Sequence, residues 1–145
     1  MPSRISDIDF TFGQEVTVRA VVEALAGAGW SLKEPLGLSY MVSIDDAYDW
    51  EFADIEAADK VLALLDAPEN FKREVGICVH HEEAETGGSL LFQAGRTECA
   101  FIPNINGRSP AADRPSTDAS WYVQALVNPL LPIGLHSYEP GDIGF

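Results

Sequence analysis

Cys78, His80 and His81, followed directly by Glu82 and Glu83, form the densest run of nucleophilic and metal-ligating residue types in this chain. Residues 78 and 80 share one face of a strand, so the pair could offer sulfur and nitrogen to zinc. A closed zinc site needs four converging ligands, usually brought together by CxxC or HxxxH spacing, and neither spacing occurs. The reading taken is structural: His80 ends a strand near Cys78, and His81 and the glutamates are solvated in the following loop. Cys99 with His80 as its base is the corresponding nucleophilic pair, which requires hydrogen-bond reach and a third, orienting group. Leu90 and Phe92 on the intervening strand mark the shared face as core instead. If a pocket lies beside the sheet, Cys78, His80, Cys99 and Arg108 are the residues expected around it. Ser89 follows Gly87-Gly88 without a GxSxG elbow, and neither GxGxxG nor GxxxxGK[ST] is present to cradle a phosphate. No metal or cofactor is expected.

The string Asp45-Asp46-Ala47-Tyr48-Asp49 matches the DDxxD pattern by which prenyl-chain synthases hold magnesium and a diphosphate. That chemistry needs a helical spacing to converge the carboxylates. Here the string falls at an expected hairpin turn, no second acidic motif or basic clamp follows, and the chain is too short for the all-helical fold. A solvated turn with an Asx-type cap is the simpler reading. The string does open the most acidic stretch of the chain: Asp45, Asp46, Asp49, Glu51, Asp54, Glu56 and Asp59 follow with no base among them, interleaved with Tyr48, Trp50 and Phe52.

This stretch belongs to a wider imbalance of 23 acids against 9 bases, a formal charge of −14. Residues 1–70 hold 14 acids and 4 bases, so the field is concentrated in the N-terminal half. Such a field repels phosphate backbones and anionic lipid and attracts basic surfaces, which argues against a nucleic-acid or membrane partner. With 46% hydrophobic and 22% charged residues the 145-residue chain can still bury a core, and one domain over residues 1–145 is expected. There is no apolar run of bilayer length and no apolar signal segment, and a cytoplasmic location is expected. The two cysteines lie in strand-like segments and suit reduced thiols.

The elements that must position these residues follow from periodicity. Val18, Val21, Val22 and Leu25 place a first helix over 11–28, with Thr11 and Gln14 as a capping box and residues 1–8 as a flexible lead-in. Runs at 38–44 and 48–53 read as a hairpin. A three-residue connection, Asp45-Asp46-Ala47, would set Tyr40 against Phe52, Val42 against Trp50 and Ile44 against Tyr48, making one face apolar and turning Asp49 and Glu51 away from the core. A two-residue turn would oppose Tyr48 to Ser43 and Trp50 to Met41 and mix the faces, so the three-residue connection is expected. Asp54 caps a second helix, strands follow at 74–80, 89–94 and 97–102, and residues 103–116 form a long loop. A third helix runs from about residue 116 to 130, and 133–138 adds an edge strand. The order α-β-β-α-β-β-β-α-β is an α+β plan with a mostly antiparallel sheet of five to six strands and three helices. Cys78 and Cys99, with one strand between them, would be too far apart to bridge.

A one-signed field without catalytic machinery points to an acidic protein-binding module that masks a basic partner protein, with Asp45, Asp46, Tyr48, Asp49, Trp50, Glu51, Asp54 and Glu56 as its contact face. In this general character the chain resembles the small acidic α+β immunity proteins that bacteria make against their own toxins, a resemblance that implies fast electrostatic steering followed by steric blocking. Two other readings stand beside it: a small-molecule binder or enzyme using a pocket beside the sheet, and an oligomeric subunit, such as a homodimer, with an aromatic interface. The locally basic segment with Arg96, Arg108 and Arg114 is read as ordinary loop charge.

Overall fold

A computed structural model of the chain describes residues 5–32, 37–45, 47, 49–81, 83, 86–105 and 119–142. Among them the order is β1 (Ile5–Phe12), α1 (Val18–Ala26), β2 (Trp30–Ser31), β3 (Leu38–Val42), β4 (Trp50–Ala53), α2 (Ala58–Leu65), β5 (Val75–His81), β6 (Thr86–Phe92), β7 (Glu98–Ile105), α3 (Ala119–Leu130) and β8 (Leu135–Asp142). The class is α+β, as expected, and the described residues form three helices and a single antiparallel sheet of eight strands rather than five or six. Its order is β4-β3-β5-β6-β7-β1-β8, with β2 paired to β5 alongside. No described helix is long and apolar enough to cross a membrane.

The largest difference lies at the N-terminus, where residues 5–8 are strand rather than flexible lead-in and β1 sits between β7 and β8. Its residues Ile8, Phe10 and Phe12 are buried and alternate with Asp7, Asp9 and Thr11, the period of a half-buried strand. Thr11 is therefore a strand residue and not a cap. The helix begins seven residues later, where Thr17 takes an extended conformation and its Oγ1 accepts from Ala20 N–H at 3.0 Å. The Asp66 carboxylate completes this cap, accepting from Val18 N–H at 2.7 Å and Arg19 N–H at 3.1 Å.

All three helices pack on one face of the sheet. Val18, Val21, Val22 and Leu25 of α1, Val61, Leu62 and Leu65 of α2, and Tyr122, Leu126 and Leu130 of α3 meet strand residues including Ile77, Leu90, Phe92 and Phe101 in one core. At the rim Trp30 is buried, donates from Nε1 to the Ala125 carbonyl at 3.1 Å, and meets His81 and Trp121. Opposite, Arg96 is wholly buried in the β6–β7 turn and ties it to 70–73 through the carbonyls of Asn70 and Arg73.

Candidate functional site

The β3–β4 hairpin sets the geometry of the acidic stretch. Ile44 and Ala47 exchange both backbone hydrogen bonds across a two-residue turn in which Asp45 has φ +52°. Tyr40 therefore pairs with Glu51, Met41 with Trp50 and Ser39 with Phe52. The register is thus that of the two-residue turn and not of the expected three-residue connection. One residue of slip exchanges the two faces of β4, so Asp49 and Glu51 point to the helix side, while Trp50 and Phe52 point to the opposite face, on which no described helix packs. The mixed hairpin is tolerated because β4 is an edge strand, exposed at Trp50, Glu51 and Phe52 alike. Burial, the charge of Glu51 and a hydrogen bond to it raise the pKa of the Tyr40 hydroxyl above its ordinary value.

On the helix side a cleft of about 360 Å³ opens between the hairpin and the end of α2, with Ile44 and Leu64 as apolar walls and Asp49, Glu51 and Glu69 as acids. Arg73, which also lines it, donates to Asn70 Oδ1 at 2.9 Å. Asp45, Asp54 and Glu56 are exposed around the hairpin, and Asp46 and Tyr48 lie outside the described residues. Asp54 precedes a short 3₁₀ turn at Ile55–Ala57 without forming the expected side-chain cap.

The helix-free face holds what the sequence reading missed. A row of register partners crosses the sheet as Trp50, Met41, Gly76, Leu91, Ala100, Asp9 and Glu139. Its β4 end is apolar: Trp50 is 37% exposed and Phe52, two residues along the same face of β4, 70%. Its β8 end is acidic. There Asp9, Glu98 and Glu139 line a groove of about 510 Å³ with Thr11, Gln93 and Ser137. Partial burial, the charge and hydrogen bond of Asp7, and the charges of Glu139 and Glu98 raise the Asp9 pKa above the usual carboxylate value. The signal was available: the period-2 pattern of residues 7–12 places Asp7, Asp9 and Thr11 on one face of a strand.

No family, curated protein or solved structure matches this chain.

Of the residues expected around a pocket, the three that are described, Cys78, His80 and Cys99, do not share a face of the sheet. Cys78 and His80 share the helix-free face, where Cys78 is buried and its Sγ lies 3.7 Å from Ser89 Oγ. Cys99 opposes Phe92 and Phe10 and belongs to the core on the helix side, so it cannot meet His80. Burial pushes the Cys99 thiol far up from its ordinary pKa, leaving no thiolate for nucleophilic work. Both cysteines are thiols rather than disulfide partners, separated by the sheet itself as well as by the intervening strand. Arg108 lies outside the described residues. Among the described residues no three His, Cys, Asp or Glu side chains converge as a metal site.

Proposed function

We propose that this chain is an acidic, immunity- or inhibitor-type binding module that covers a basic surface of another protein with the helix-free face of its sheet. The crowding of carboxylates around Asp9 carries the reading. Like charges held together weaken the free protein, and a cationic partner turns that repulsion into attraction. The apolar end of the same row supplies what charge alone lacks: Trp50 and Phe52 are aromatic anchors able to bury area against the partner. The hairpin acids Asp45, Asp49, Glu51, Asp54 and Glu56 extend the negative field along this edge and accelerate encounter. Buried cysteines kept as thiols fit a cytoplasmic setting.

The test is capture from native lysate on immobilised wild type and on an Asp9→Lys/Glu139→Lys variant, at low and high salt. The expected result is a basic protein retained by wild type at low salt, released at high salt and not retained by the variant. Retention unaffected by the two reversals would overturn the reading.

A further inference from the structure

The open edge of β4 specifies the form of the partner more closely than the charge does. Antiparallel pairs alternate between residues that exchange both backbone bonds and residues that exchange neither. Ile44 and Ala47 form a bonded pair, so the Tyr40–Glu51 and Leu38–Ala53 pairs are bonded, and Met41–Trp50 and Ser39–Phe52 are not. The N–H and C=O groups of Trp50 and Phe52 therefore point outward, and among the described residues no strand receives them. An unpaired edge of this kind is a template for one more strand. The other terminal strand, β8, is a poorer template because Pro140 lacks an N–H.

The two faces beside this edge differ in chemistry. Trp50 and Phe52 flank it on the helix-free face, and Asp49, Glu51 and Glu69 flank it on the helix side, around the cleft walled by Ile44 and Leu64. An added strand sends successive side chains to opposite faces. We infer that β4 accepts an extended segment of the basic partner by strand addition, with alternating apolar and basic residues: the apolar set on Trp50 and Phe52, the Lys or Arg set against Glu51 and Asp49. This rests on the reading of the chain as a binder of a basic protein and adds the partner's local conformation and residue pattern.

The probes are acetyl-Lys-Val-Lys-Val-Lys-Val-Lys-Val-amide and its block isomer acetyl-Lys-Lys-Lys-Lys-Val-Val-Val-Val-amide, equal in composition and charge. Each is titrated into the full chain, with amide hydrogen exchange read by NMR. The alternating peptide is expected to bind about tenfold tighter or more than the block peptide, and to protect the Trp50 and Phe52 amides. Equal binding without that protection overturns strand addition while leaving a charge-driven partner intact. Binding of neither peptide at low salt also overturns strand addition, and the capture experiment with Asp9 and Glu139 reversed then judges the partner reading separately. A Glu51→Lys variant should weaken the alternating peptide while keeping the folded-state spectrum.

Discussion

The indole of Trp50 fills the space that a side chain at residue 76 would need. A Cβ built on Gly76 would lie 2.8 Å from Trp50 Cη2 and 3.0 Å from Leu91 Cδ2. The edge strand thus reaches across β3 to β5, laying its ring over the one position in the row without a side chain. The ring of this half-exposed aromatic is thus seated against the sheet rather than held out in solvent.

Gly76→Ala should therefore destabilise the chain by about 1–3 kcal/mol through overpacking, read as a lower urea midpoint. Adding Trp50→Ala should restore part of the loss, with a coupling of about 1 kcal/mol between the two sites. Strict additivity would show that the ring does not rest there.

Asp66 lies just past α2, yet its carboxylate takes the first N–H groups of α1. Asp66→Ala should cost about 1–2 kcal/mol, as loss of a helix cap does. Asp66→Asn, which keeps one acceptor oxygen, should cost less. Thermal denaturation of the two variants separates a cap from a generic surface charge.

Arg96 holds three backbone carbonyls, those of Asn70, Arg73 and Gln93, and lies over the Phe71 ring. Desolvation lowers its pKa, with Asp66 acting in the opposite direction. A lysine cannot span the same acceptors, so Arg96→Lys should cost about 1.5–3 kcal/mol, the range for charge-assisted bonds. A urea midpoint equal to wild type would show the clamp to be dispensable.

Asp9 supplies a test in which stability and binding move in opposite directions. Its pKa is raised in the folded state, so the folded chain holds this proton more tightly than the unfolded chain. The associated stability is present below the ordinary value of 3.8 and is lost as pH rises through the folded pKa. Asp9→Asn should therefore stabilise the protein at neutral pH by about 0.5 kcal/mol, the size of a solvent-screened charge effect. Its advantage should disappear in acid, and its affinity for a basic partner should fall. Destabilisation at neutral pH would show that the carboxylate serves the fold.

Native protein should give no reaction with a thiol reagent at neutral pH, and two equivalents after denaturation, because both cysteines are buried and the Cys99 thiolate is suppressed. Fast labelling of one thiol in the native state would contradict this placement.

Helix positions, the α+β class and the strands β5 to β7 were legible in the sequence because each rests on local periodicity. Val18, Val21, Val22 and Leu25 repeat at the helical spacing wherever the cap falls. The alternation at Ile8, Phe10 and Phe12 was equally local, and only the reading of Thr11 as a cap concealed it. The hairpin register was a different matter: both turn lengths were compatible with residues 38–53, and the choice between them depended on β4 lying at an edge, where no apolar face has to be completed. Likewise, nothing local could bring Asp9 beside Glu98 and Glu139, since β1 enters between β7 and β8 only when the whole sheet assembles. Composition set the sign of the protein's field; strand order, a long-range property of burial and backbone pairing, decided which face carries it.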